Sequence, residues 1–160
     1  MEQPHYPPHI RLASEKDLPR IMEIERLSFA HPWERIFIKE AMKEEVFVYE
    51  DGEILGYLAS CCCSLSKRGV ILKVAVDPKY RGRGVASQLI TAALNRFREM
   101  KLDSVELDVD IMKTKAINLY EKFGFKVIRI MIPEQEIDDE EEEFLMMHLK
   151  LTEADRKSVV

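Results

Sequence analysis

Residues 72 to 90, LKVAVDPKYRGRGVASQLI, restrict the fold more than any other stretch of this chain. The run VILKVAV at 70 to 76, rich in valine and isoleucine, reads as a buried strand. Asp77-Pro78 interrupts it, and two arginines and two glycines then fall within positions 81 to 84. Beyond them Val85, Leu89, Ala92 or Ala93, Arg96 or Phe97, and Met100 recur at helical spacing, which predicts a helix from about 84 to 100. Another strand, SVELDV, follows at 104 to 109. Strand, helix and strand in that order form a crossover unit, so the two strands are expected to be parallel with a right-handed connection.

The flanking segments extend this unit. Residues 1 to 8 hold three prolines and read as a loose arm, and HIRLA then reads as a short strand. Ser14 with Asp17 three residues on is a variant capping box. It opens a helix whose positions Leu18, Ile21, Ile24, Glu25 and Leu27 fall on one face. AHPW ends that helix, and ERIFIKEAMKEE predicts a second, with Ile36, Ile38 or Phe37, and Ala41 facing inward. VFVYE, the Asp51-Gly52 turn and EILGYLASCCCSL predict a hairpin, and with VILKVAV an antiparallel meander. KTKAINLYEKF is a helix stopped by Gly124, and FKVIRIMI and EFLMMHLKL are the last two strands. The order is strand, two helices, three strands, helix, strand, helix, two strands: a mixed α/β domain over 9–152, between the arm at 1–8 and a tail at 153–160.

Composition removes several classes. At 160 residues the chain fits one domain. No apolar run reaches the roughly 18 residues that span a bilayer, and the amino terminus lacks the order of a signal peptide, so no membrane and a cytoplasmic location are expected. Cys61, Cys62 and Cys63 are consecutive, which is neither a disulfide framework nor a metal-ligand spacing; small buried thiols and no metal are expected. The net charge of −5 is concentrated, because eight of the 29 acidic residues lie in EQEIDDEEEE at 134 to 143. The rest of the chain has 24 basic against 21 acidic residues, which suits a small anionic ligand and gives no basis for nucleic acid binding.

The glycine–arginine turn carries the chemistry. A P-loop would need Lys-Ser or Lys-Thr after its last glycine, where Val85-Ala86 stand. Gly82, Gly84 and Ser87 match the spacing of a dinucleotide fingerprint, but DPKY separates them from the strand. What remains is a flexible turn that presents backbone N–H groups at the positive end of a helix, with Arg81 and Arg83 adding charge; it suits a diphosphate. From the residues alone, a plain exposed basic turn stays open as the alternative.

VAVDPKYRGRGVASQLI resembles the acetyl-CoA motif of the GCN5-related N-acetyltransferases, Arg/Gln-x-x-Gly-x-Gly/Ala, here Arg81-Gly82-Arg83-Gly84-Val85-Ala86. HPW at 31 to 33, LDV at 107 to 109 and AINLYEKFGF at 116 to 125 extend the resemblance across residues 10 to 151, toward the RimI/Ard1-like group that acetylates protein amino termini. The resemblance implies an α/β fold with a mixed central sheet of about seven strands flanked by about four helices. It also implies acetyl-CoA as cosubstrate, held by the backbone of Val74, Ala75 and Val76 along its pantetheine arm and by residues 81 to 86 at its pyrophosphate.

Acetyl transfer from a thioester to an amine needs a neutral nucleophile, a stabilised oxyanion and a proton for the departing thiolate. By resemblance Tyr120 is the acid, and Asp108, twelve residues earlier, stands where relatives carry a glutamate base. Its side chain is one methylene shorter, and Asp110 or water are the alternatives. Lys113 stands where the family has an asparagine against CoA, and helical spacing through Ile117 keeps it on the cofactor side.

For the acceptor, the resemblance assigns Phe29, Pro32 and Trp33 to the pocket and implies a protein or peptide amino terminus, a ribosomal protein included. The tyrosine pair by which relatives grip a peptide is replaced here by IMIPEQEIDDEEEE. That segment is either a solvated loop or an attractor for a cationic acceptor. A small-amine acetyltransferase and a non-catalytic acyl-CoA-binding module are the competing readings.

Overall fold

A computed structural model describes residues 6–132 and 143–151. Among these, seven strands form one sheet in the order β1-β2-β3-β4-β5-β7-β6. The strands are β1 (Ile10–Leu12), β2 (Glu45–Asp51), β3 (Glu53–Cys63), β4 (Arg68–Val76), β5 (Ser104–Asp110), β6 (Lys126–Met131) and β7 (Phe144–Lys150). The helices are α1 (Leu18–Ser28), α2 (Arg35–Met42), α3 (Val85–Glu99) and α4 (Thr114–Lys122). The element order is the one expected from the sequence, and β4 and β5 are the parallel pair.

Local chemistry explains the boundaries. Asp17 accepts the Ser14 backbone N–H at 2.7 Å and takes both terminal nitrogens of Arg11 at 2.7 and 2.9 Å, which fixes the entry to α1. Phe29 is already extended (φ −129°, ψ 140°) and ends that helix ahead of Pro32. Gly124, at φ 100°, occupies the left-handed conformation that terminates α4.

The two faces of the sheet bury different clusters. Helices α1 and α2 cover one face through Leu18, Ile21, Ile24, Ile38 and Ala41, packed on Val46, Val48, Tyr57, Ala59 and Ala75. On the other face α3 and α4 pack Leu89, Ile90, Ala93, Phe97 and Tyr120 on Phe47, Leu58, Val105, Leu107 and Met147. Strict alternation along β5 sends Val105, Leu107 and Val109 to the α3 face and leaves Glu106, Asp108 and Asp110 for the other.

Three local expectations change. Leu27, placed on the buried face of α1, is 50% exposed, because Glu25 completes the inward stripe instead. On α2 only Ile38 and Ala41 turn inward, while Ile36 and Phe37 lie at the surface. The buried run of β3 ends at Ser60, so Cys61 and Cys62 are half-buried and Cys63 is exposed rather than all three being core thiols.

Candidate active site

An irregularity in β4 creates the site. Pairing with β3 runs Gly56↔Val76, Tyr57↔Ala75, Leu58↔Val74 and Ala59↔Lys73, then jumps to Ser60↔Ile71, so Leu72 has no partner there. Such a bulge bends its strand and sharpens the twist. Pairing of β4 with β5 stops at the same point, with Ile71↔Leu107 as its last pair. From Leu72 to Val76 one edge of β4 is therefore open, facing β5 residues Asp108 to Asp110. The bulge also reverses the alternation: Ile71 belongs to the α3-side core, whereas Ala75 belongs to the α1-side core and Lys73 faces Glu25 of α1.

The end of the open edge leads into the glycine turn. Asp77, 1% exposed, accepts from the Lys79 N–H at 2.9 Å and from Arg20 of α1 at 2.7 Å, and Arg20 also donates to Ile54 O at 2.9 Å. These bonds hold the Asp77 carboxyl below the usual carboxylate range, the Lys79 N–H first among them. Arg81 folds back so that its Nε donates to Val76 O at 3.1 Å, and the Arg83 guanidinium lies 5.2 Å from the Tyr80 ring centroid. Gly82 and Gly84 take φ of +80° and +78°, and a side chain at either would meet no atom within 4 Å. Conformation, and open space beside the backbone, mark both positions. The first α3 backbone bond is Gln88 N–H to Gly84 O at 3.1 Å, so the N–H groups of the preceding turn have no acceptor within the helix. An open strand edge followed by such a turn suits an amide-bearing arm ending in a diphosphate.

Gly56 makes this approach close. A side chain there would sit 2.8 Å from Ala75 O and 3.1 Å from Val85 Cγ1, so the absent Cβ lets the start of α3 sit against the end of β4.

Tyr120 is 9% exposed, edge-on to Phe125 at 6.0 Å between ring centroids. Burial alone pushes its hydroxyl up to about 12. The two aspartates differ. Asp108 is exposed on the α1 side of β5, whereas Asp110 spends one carboxylate oxygen on the Met112 N–H at 2.8 Å and its carbonyl on the Lys113 N–H at 3.0 Å, shaping the turn into α4.

Sequence reasoning missed a polar centre on the α1 side of the sheet. Glu25 is 0% exposed and accepts from the Tyr57 hydroxyl, from the Trp33 N–H at 2.6 Å, and from Lys73 Nζ at 3.0 and 2.9 Å. Burial lowers the Lys73 ammonium, with Glu25 opposing and Lys113 adding to the shift. Burial, then Glu25, raises the Tyr57 phenol. Lys73 Nζ lies 4.0 Å from the Phe29 ring centroid and 4.5 Å from that of Trp33. Lys113 comes to the same place, its Nζ 4.2 Å from the Phe29 centroid. Phe29, Trp33 and Lys113 are thus brought together, and Trp33 is tied to α1 through its own N–H. The signals in the sequence were a glutamate on an apolar helix stripe and a lysine inside an apolar strand, each of which needs a partner when buried.

The acetyltransferase (GNAT) family model matches residues 14–125. An N-alpha-acetyltransferase of Sulfurisphaera tokodaii is 31% identical over 137 residues, covering 76% of this chain and 82% of its own. A [ribosomal protein bS18]-alanine N-acetyltransferase of Haemophilus ducreyi is 29% identical over 119 residues, covering 72% and 81%. Among solved structures, Ard1 from Thermoplasma volcanium superposes with a TM-score of 0.81 at 26% identity, covering 89% of this chain and 97% of that one.

Proposed function

The chain belongs to the acetyltransferase (GNAT) family, and from that premise we propose that it transfers acetyl from acetyl-CoA to the α-amine of a protein or peptide, with residues of the open β4 edge in the roles that follow. The observation that carries the reading is the parting of β4 from β5 beyond Ile71 and Leu107, with the glycine turn at its end. Bound acetyl-CoA supplies the thioester carbonyl and the thiol leaving group. The backbone of Val74, Ala75 and Val76 pairs with the arm much as a neighbouring strand would, which explains why apolar side chains serve there. Arg81 to Ala86 hold the pyrophosphate by N–H groups, helix dipole and charge.

The Tyr120 phenol is held protonated at neutral pH. A thiol titrates near 8.5, so full transfer from a phenol at about 12 to a thiolate is uphill by roughly 5 kcal/mol. Tyr120 therefore acts as a hydrogen-bond donor that stabilises the departing sulfur, and the proton that ends on sulfur derives from the amine through solvent. A strong base is not needed for an amino terminus. An α-amine near 8 is about one-tenth neutral at pH 7, against about one part in 2,500 for a lysine amine near 10.4. Asp108, exposed on the acceptor side, suffices to receive that proton directly or through water.

The small-amine reading fares worse, because a polycation would meet the Lys113 ammonium beside Phe29, the charge of Lys73 being balanced by Glu25. Of the acidic segment 134–143, read as either a solvated loop or an attractor for a cationic acceptor, residues 134–142 lie outside the described residues. Incubation with acetyl-CoA and peptides with free or blocked amino termini, alongside polyamines, with products read by mass spectrometry, tests the proposal. Acetylation of free termini alone is expected. Acetylated polyamine, or CoA binding without product, would replace it by the small-amine or the non-catalytic reading.

A further inference from the structure

The Glu25–Lys73 pair balances itself, one buried carboxylate against one ammonium. Lys113 is the second ammonium at the Phe29 ring. It is exposed at the start of α4, its ammonium is 4.2 Å from the Phe29 centroid, and it makes no ion pair among the described residues. Asp110, three residues earlier in the same turn, is engaged with the Met112 N–H instead. A cation held over an aromatic face remains a hydrogen-bond donor on its solvent side, and beside an apolar wall the field it projects is less screened than on a convex surface.

Resting on the reading of this site as the acceptor pocket, we propose that Lys113 is a specificity residue that favours acceptor chains carrying a carboxylate side chain in their first two residues. Lys73, its charge balanced by Glu25, leaves Lys113 as the ammonium at the Phe29 ring that is free to meet an acceptor carboxylate. A cationic acceptor side chain is disfavoured by the same charge. The contact is partly exposed, so a preference of about 5- to 10-fold in kcat/KM is expected, carried by KM and shrinking as salt rises past a Debye length of roughly 8 Å at physiological ionic strength.

The test uses the whole chain, acetyl-CoA and peptides identical except for Asp, Asn or Lys at the first or second position. The order Asp above Asn above Lys is expected for the unaltered protein. In Lys113→Met the Asp-to-Asn ratio should fall to about one, and in Lys113→Glu the order should invert toward Lys; the ratio, an internal comparison, is insensitive to a general loss of activity. Equal rates for Asp and Asn, a preference for Lys, or a preference that survives Lys113→Met would overturn the proposal. So would a rise in KM for acetyl-CoA in Lys113→Met with the ratio unchanged, which would assign the lysine to the cofactor. Acetylation of the Asn peptide keeps the amino-terminal reading intact whichever way the charge result falls, whereas no labelling of any free terminus would remove both.

Discussion

Lys73→Met removes the only cation that meets Glu25 among the described residues while keeping an unbranched stem of similar length. Glu25 is fully buried and then retains the Tyr57 hydroxyl and the Trp33 N–H as donors. Breaking a buried ion pair from one side costs about 3–5 kcal/mol, and two surviving charge-assisted hydrogen bonds keep the loss at the lower end, near ~3 kcal/mol. In a chain of this size that corresponds to a fall in Tm of about 6–12 °C. Glu25→Gln should lose less, about 1–2 kcal/mol, because the Lys73 side chain keeps 14% exposure and its ammonium can turn toward water. The double substitution should lose no more than about 1–2 kcal/mol, giving a coupling of about 3 kcal/mol. Urea unfolding is the assay, and Trp33, the sole tryptophan and 4.5 Å from Lys73 Nζ, is its fluorescent reporter. A loss below about 1 kcal/mol for Lys73→Met, or a double variant whose loss equals the sum of the singles, would refute the claim that the two groups depend on each other.

Tyr120→Phe should lower kcat about 10²-fold with acetyl-CoA affinity unchanged, and because the phenol titrates at about 12, kcat/KM should rise through the acceptor amine's pKa without falling again below pH 10; a descending limb near 9 would contradict the assignment. Gly56→Ala forces a Cβ to within 2.8 Å of Ala75 O, so a stability loss of about 1–3 kcal/mol and weaker CoA binding are expected, the first by urea unfolding and the second by calorimetry; unaltered CoA affinity would separate the turn from this contact. Asp17 is held below its ordinary pKa, Arg11 being the largest cause, so the stability it contributes is fully present above about pH 4 and lost as the pH falls through its lowered value. The Tm of Asp17→Asn should therefore lie below that of the unaltered chain at pH 7 and converge on it toward pH 2.

Much of the fold was legible because each element carries its own punctuation. The capping pair Ser14 and Asp17, the Asp51-Gly52 turn, the glycines at 82 and 84, and Gly124 mark ends by local backbone chemistry, which requires no distant partner. The glycine turn was legible for the same reason: conformation and N–H geometry are encoded within six consecutive residues. The polar centre around Glu25 was not. Glu25, Tyr57 and Lys73 lie 16 or more residues apart and come together only through packing. Lys113, assigned from its helical position, is placed by the reach of its side chain to Phe29, just past the end of α1.

By itself the sequence determined the order of strands and helices and the glycine turn, since periodicity, caps and glycine conformations act over a few residues. Tertiary structure decided the rest through register. β7 inserts between β5 and β6, which only pairing across the sheet can settle. Side chains alternate with a period of two along a strand, so the single unpaired residue Leu72 moves Lys73 from the α3 face, shared by Ile71, to the α1 face, where Glu25 waits. The sequence holds the lysine, but which side of the sheet receives its charge depends on a bulge that no local pattern announces.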